Sequence, residues 1–288
     1  MNTSVGYETI QSRPRIVMGT KTLVSFLALT FGLSWVPMSL FILFADQLTP
    51  LIGEMSSHNP LFLLAVYAPG LSGIFLIWHH YGPKGLSSFF RRLFFWRAPI
   101  QWWLFLLLGI PVIVFAAAAI KGTINNPFPF LPWYMVFPAL VQSLLLGPLG
   151  EEFGWRGFAL PLLQRRFSPF WASLILGVVW AVWHAPAFLM SGTPQNAWSF
   201  GPFFLGLVAI TVILTPLFNA SRGSLLIAIL YHLQIMNPIF PDAQPWDNLL
   251  FAITAAVIVF LNRHQMFQRG SGVMEVLSFP FLKTPHAQ

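Results

Sequence analysis

After its first twenty residues the chain offers eight stretches of roughly the 20 mostly apolar residues that a helix needs to cross a bilayer. They are 22–44, 61–78, 102–120, 131–149, 170–190, 201–219, 224–240 and 247–262. Only 8% of the side chains are charged and 56% are hydrophobic, against roughly 25% charged in ordinary soluble domains. These stretches predict an all-α polytopic membrane protein, a bundle of about eight transmembrane helices. No Gly/Ser linker, low-complexity tract or internal repeat interrupts them, which predicts a single transmembrane domain over residues 22–264. Residues 1–21 and 265–288 are expected to be cytoplasmic tails.

The basic residues alternate by side. Arg13, Arg15 and Lys21 precede the first stretch, and Lys84, Arg91, Arg92 and Arg97 separate the second from the third. Arg165 and Arg166 follow the fourth, Arg222 follows the sixth, and Arg263, Arg269 and Lys283 follow the eighth. The intervening loops hold Lys121 alone among basic residues, together with Asp46, Glu54, Asp242 and Asp247. By the positive-inside rule both termini are then cytoplasmic, and the compact loops suit a bacterial plasma membrane. The first residues lack the apolar core and small-residue cleavage site of a signal peptide. Scattering of the basic residues between apolar runs speaks against a nucleic-acid partner despite a net charge of +7. Cysteine is absent, which removes thiolate metal sites and a cysteine nucleophile. The stretch Gly85 to Pro99, "GLSSFFRRLFFWRAP", is too basic to span and reads as an amphipathic helix lying at the inner interface.

Three places put polar side chains where lipid is expected. "GPLGEEFGWRGF" carries Glu151, Glu152 and Arg156 at the end of the fourth stretch. Ionisable groups in a membrane normally face the protein interior and serve a function. On a helix Glu152 and Arg156 are i and i+4 and neutralise each other, whereas Glu151 points about 100° away and keeps a carboxylate free. "GVVWAVWHAPAF" places His184 inside the fifth stretch, and "LLIAILYHLQIMNPIF" places His232 and Asn237 in the seventh. A buried Glu with two His can polarise water, bind a metal or relay protons. For water activation, Glu151 and His184 hold and deprotonate the water while His232 and Asn237 donate to the oxyanion. A zinc ion on Glu151, His184 and His232 is the metal alternative. The HExxH and GxSxG signatures are absent.

The ordered triple "EEFGWR", "WAVWH" and "HLQIMN" resembles the CPBP family, which comprises type II CAAX prenyl endopeptidases and abortive-infection-type membrane proteins. The resemblance runs from about Leu144 to Asn237. It implies an intramembrane, glutamate-dependent endopeptidase whose cavity opens towards the cytosol, acting on a membrane-associated peptide or protein in the lipid bilayer. By matching position, Glu151 would be the water-activating base, Glu152 and Arg156 its supports, His184 its partner and His232 part of the oxyanion-stabilising group. No cofactor is then required, with zinc as the alternative. Trp180 stands where the family usually has Phe, which keeps an aromatic wall. The third motif usually reads HxxxN, but here Met236 is at +4 and Asn237 at +5. A regular helix turns Asn237 about 140° from the line of His232, so its oxyanion role requires a π-bulge before Pro238.

A distance argument adds one structural expectation. At ~1.5 Å per residue Glu151 lies about 30 Å from Leu131, near the inner boundary, while His184 is about 21 Å in from Phe170. The fourth helix must tilt or break for them to meet, and Gly147, Pro148 and Gly150 supply the means. Two other function classes use the same residues: a proton-coupled transporter or channel with Glu and His as a relay, and a catalytically inert peptide-binding or immunity protein. No inverted repeat of the kind transporters carry is visible.

Overall fold

The computed structural model describes residues 18–56 and 59–278, and among these every regular element is helical. In chain order they are α1 (Thr20–Leu43), α2 (Ala45–Ile52), α3 (Pro60–Phe90), α4 (Ile100–Leu104), α5 (Ile110–Lys121), α6 (Val136–Leu145), α7 (Pro148–Gly154), α8 (Leu160–Gln164), α9 (Pro169–Trp183), α10 (Phe200–Ala220), α11 (Leu225–Ile235), α12 (Trp246–Leu261) and α13 (Arg263–Phe267). A π turn, Phe105–Gly109, joins α4 to α5, and a second, Trp155–Ala159, joins α7 to α8. Six helical units are long and apolar enough to cross a membrane, so this is an integral membrane protein. The seventh and eighth stretches form the shorter apolar helices α11 and α12, of 11 and 16 residues.

Local chemistry sets the helix ends. Asn59 caps α3 by accepting from the Leu61 amide at 2.9 Å, with Pro60 in the first helical position, where a missing N–H costs nothing. Ser224 caps α11 through the Ile227 amide at 3.0 Å. Gly82 has φ 63°, a left-handed conformation open to glycine, and kinks α3 just before Pro83. Beyond that kink a second helical segment runs through residue 90 into the turn Arg91–Phe94, with Arg92 buried among protein carbonyls while Phe94 and Trp96 remain exposed.

The fourth stretch runs further than expected and breaks in the middle. α6 ends at Leu145, Gly147 takes φ −154° and ψ −80°, and the chain restarts as α7 at Pro148 before continuing through the π turn to Gln164. That break was the means expected for bringing Glu151 inward. α7 packs on α3 through small residues: a Cβ on Gly154 would overlap the Pro69 backbone, and one on Gly150 would lie 2.9 Å from the Val66 carbonyl oxygen. The pair Gly150 and Gly154 is a GxxxG spacing, which lets two helix backbones approach closely. Gly154→Ala is expected to lower stability by about 1–3 kcal/mol, the usual cost of overpacking, read as a lower unfolding temperature in detergent.

α10 is the most buried of the spanning helices and packs on α9 and α12. The core beside it holds Phe26, Trp155 and Trp183, with edge-on ring contacts at 5.6 and 5.8 Å. At one end of the bundle Arg92 donates from Nε to the Gly223 carbonyl and from Nη1 to those of Gly157 and Val276, all at 2.8 Å. At that same end Arg165 reaches the carbonyls of Met274 and Met18, and Gln164 that of Val273. Residues 273–278, read from sequence as tail, are thus packed against the bundle. Of the expected tails, 1–21 and 265–288, residues 1–17 and 279–288 lie outside the described residues. At the opposite end Lys121 meets Asp242 at 2.8 Å, and the Thr123 hydroxyl donates to the Asp242 carbonyl.

Candidate active site

Restarting the helix at Pro148 places Glu151 and Glu152 in its first turns, inside the bundle, with 4% and 0% exposure. Glu152 and Arg156 form the expected i,i+4 pair, Nη1 to Oε1 at 2.8 Å. The same Oε1 meets His232 Nδ1, also at 2.8 Å. Arg156 is fixed further by its Nη2, which donates to the Thr211 hydroxyl at 3.2 Å, and by the Trp180 ring, whose centroid lies 4.2 Å from the guanidinium carbon. A cation over an indole face is held by the ring quadrupole. Glu152 therefore serves as an internal counter-ion.

Glu151 has a different environment. Its Oε2 accepts from the Trp180 indole N–H at 2.6 Å, and among the described residues no hydrogen bond reaches its Oε1. Trp180 is the hub of the site. Its ring meets the edge of His232 at 5.3 Å and of His184 at 5.8 Å, so the two imidazoles, estimated from sequence at different depths, flank one indole. His184 follows the last turn of α9, with its Nδ1 2.8 Å from the Trp180 carbonyl. A carbonyl only accepts, so this Nδ1 carries the proton and the neutral ring keeps a lone pair on Nε2. Packing against Trp183 and Phe203, at 4.7 and 5.2 Å, fixes the ring plane.

Glu151, His184 and His232 line one cavity of about 520 Å³, together with Trp180 and Asn237. Its volume is that of a small-molecule or peptide side-chain cleft, and its walls are mostly apolar with a few converging polar groups. Asn237 is present by a route other than a π-bulge. α11 stops at Ile235, and Asn237 sits beyond the helix, its Oδ1 accepting from the Ile239 amide and its Nδ2 donating to Gln234 Oε1, both at 3.1 Å. The turn, rather than the helix, presents it to the cavity.

Among the described residues no group of three His, Cys, Asp or Glu side chains is placed to hold a metal ion. His232 Nδ1 is engaged by Glu152 and His184 Nδ1 by a carbonyl, which leaves both Nε2 atoms directed elsewhere. Sequence reasoning gave Trp180 only as a wall and passed over its role as donor to Glu151. It missed Thr211 altogether, although a threonine in the apolar run "VAITVILT" was a visible sign. Gln195, Trp198, Asp242 and Gln244 also line the cavity.

Residues 131–236 match the model of a family described as type II CAAX prenyl endopeptidase Rce1-like. A curated relative, CAAX prenyl protease 2 of Methanococcus maripaludis, is 29% identical over 144 residues, 46% of this chain and 53% of that protein. The chain thus spans about half the length of the relative it matches. The family match encloses Glu151, Glu152, Arg156, His184 and His232 and stops one residue before Asn237. Over residues 131–236, which hold the three motifs apart from Asn237, this membrane protein is similar to the Rce1-like type II CAAX prenyl endopeptidases.

Proposed function

We propose that the protein is an intramembrane endopeptidase that uses a glutamate-activated water to hydrolyse a peptide bond in a membrane-associated peptide or protein. The observation that carries this reading is the set of atoms left free in the cavity. Glu151 Oε1, His184 Nε2 and His232 Nε2 have no hydrogen-bond partner among the described residues, and all three residues line the same space.

The division of labour follows from the partners already taken. A water between Glu151 Oε1 and His184 Nε2 gives each of its two protons an acceptor. As the water oxygen attacks the scissile carbonyl carbon, Glu151 takes one proton. The carbonyl oxygen becomes an oxyanion, and His232, held through Nδ1 by the Glu152 carboxylate, donates to it from Nε2 when its ring is protonated. The C–N bond then breaks, and the proton on Glu151 passes to the leaving amine, giving a carboxylic acid and an amine. Trp180 aims Glu151 through its indole N–H, and Arg156 holds Glu152 in place. Asn237, with one amide hydrogen engaged by Gln234, has the other for the oxyanion and contributes less than His232.

The test is cleavage of a fluorogenic membrane-tethered peptide by the purified protein in lipid nanodiscs, with and without a chelator. Cleavage at an unchanged rate in chelator is the expected result. Loss of cleavage in chelator with recovery on adding zinc would replace this mechanism by a metal-dependent one, and proton flux without cleavage would favour the relay.

A further inference from the structure

A second cleft, of about 430 Å³, shares no lining residue with the cavity of Glu151. Residues 94–99 and 220–222 line it. Three of the helical units long enough to cross a membrane end at these residues: Pro60–Phe94 stops at the first of them, Ile100–Lys121 starts just past Pro99, and Phe200–Ala220 stops at the turn that forms the rest. A cleft where spanning helices begin and end lies at the depth of the lipid headgroups. Its rim agrees, since Phe94 and Trp96 are 79% and 61% exposed, as aromatic residues at a membrane–water interface are.

The two lining segments are tied together. The Ser224 hydroxyl donates to the Phe95 carbonyl, and buried Arg92 donates from Nε to the Gly223 carbonyl at 2.8 Å, fixing the turn between α10 and α11. The Ser221 hydroxyl is engaged by the Phe218 carbonyl at 3.0 Å. Arg97 and Arg222 are the charged residues of the cleft, and no Asp or Glu lines it. Both are exposed, and among the described residues neither guanidinium makes a hydrogen bond or an ion pair. Arg97 meets only the Trp96 ring, with its guanidinium carbon 5.7 Å from the centroid. Arg222, with φ 57°, is the one residue other than glycine in the left-handed region among the described residues, a conformation that glycine and asparagine take more easily. A strained backbone position held by an arginine whose side chain has no protein partner points to a ligand for that side chain.

We propose that this cleft binds an anionic phospholipid, its phosphate held between Arg97 and Arg222 and its headgroup beside Trp96. A guanidinium offers a planar fork of donors that matches two phosphate oxygens. Two such forks with no acid in the lining favour a headgroup of net negative charge, because a zwitterionic one brings its own cation against them. Lipid, rather than dissolved phosphate, is the source, because three spanning helices end at the cleft and exposed aromatic rings flank it. The site stands apart from the peptidase reading, and neither arginine belongs to the catalytic machinery.

The test is thermal unfolding of the whole chain in detergent, titrated separately with phosphatidylglycerol, phosphatidylcholine and inorganic phosphate. Phosphatidylglycerol is expected to raise the unfolding temperature of the parent, and the other two to leave it unchanged. Arg97→Gln and Arg222→Gly are each expected to weaken the apparent Kd for phosphatidylglycerol roughly fivefold, the worth of one basic side chain at an anionic surface. Arg269 is exposed and lies outside the cleft, so Arg269→Gln is expected to bind like the parent. Arg222→Gly places a glycine where the backbone favours one. Its lipid-free unfolding temperature is therefore expected to equal or exceed that of the parent, which separates lost binding from lost folding. An equal gain with inorganic phosphate would overturn lipid as the ligand. An equal gain with phosphatidylcholine, no gain in the parent, undiminished affinity in both cleft variants, or an equal loss in Arg269→Gln would overturn the site itself.

Discussion

Glu151→Gln is expected to abolish peptide cleavage while the bundle stays folded. The amide keeps the volume of the carboxyl group, and its oxygen still accepts the Trp180 indole N–H that meets Glu151 Oε2 at 2.6 Å. What is lost is a group that can take a proton from water and return it to the leaving amine. General-base removal alone costs roughly 10²–10⁴ in rate. Because Glu151 serves both proton transfers, the fall is expected at about 10³ or more on that scale. The comparison is the initial cleavage rate of variant and parent in nanodiscs, alongside their unfolding temperatures. Undiminished cleavage by Glu151→Gln would falsify the proposed mechanism.

Glu152→Ala is expected to act on stability instead. The Glu152 side chain is fully buried, and its Oε1 is shared by Arg156 Nη1 and His232 Nδ1. Arg156, 1% exposed, then retains the Thr211 hydroxyl and the Trp180 ring but no counter-charge. Breaking a buried pair by removing one partner costs about 3–5 kcal/mol, whereas replacing both members by apolar residues of similar volume is often neutral. The double variant Glu152→Leu with Arg156→Met is therefore expected to unfold at a higher temperature than Glu152→Ala. If the single variant is as stable as the parent, Glu152 is not the counter-ion described above. Cleavage should be weak in both, since His232 loses the carboxylate that orients it.

The helices were legible because lipid-length apolar runs admit few readings, and six of the eight stretches became units of spanning length. The Glu152–Arg156 pair was legible because helical spacing alone brings i and i+4 together. The break at Gly147 and Pro148 was inferred from a ruler rather than from a motif: Glu151 was too far down its stretch to meet His184 unless the helix restarted. Sequence could not supply what depends on the azimuth of one helix against another. Trp180 looked like one aromatic among many, and only packing aims its indole N–H at Glu151. Arg92 looked like an interfacial charge, yet three carbonyls from distant parts of the chain draw it inside. The register slip at Asn237 was visible, but its resolution was not, since a helix that ends at Ile235 leaves no helical register to slip.

The contacts of Arg92 also bear on biosynthesis. Its acceptors are main-chain oxygens at positions 157, 223 and 276, so its last bond waits for a segment that leaves the ribosome nearly two hundred residues after it. Until then the guanidinium has at most two of its three carbonyls. Two of the acceptors belong to glycines that leave no room for a side chain, since a Cβ on Gly157 would lie 2.8 Å from Phe89 and one on Gly223 2.9 Å from Arg92, while a lysine at 92 supplies one compact ammonium where a forked donor is required. The burial of Arg92 is thus completed by a segment 184 residues further along the chain.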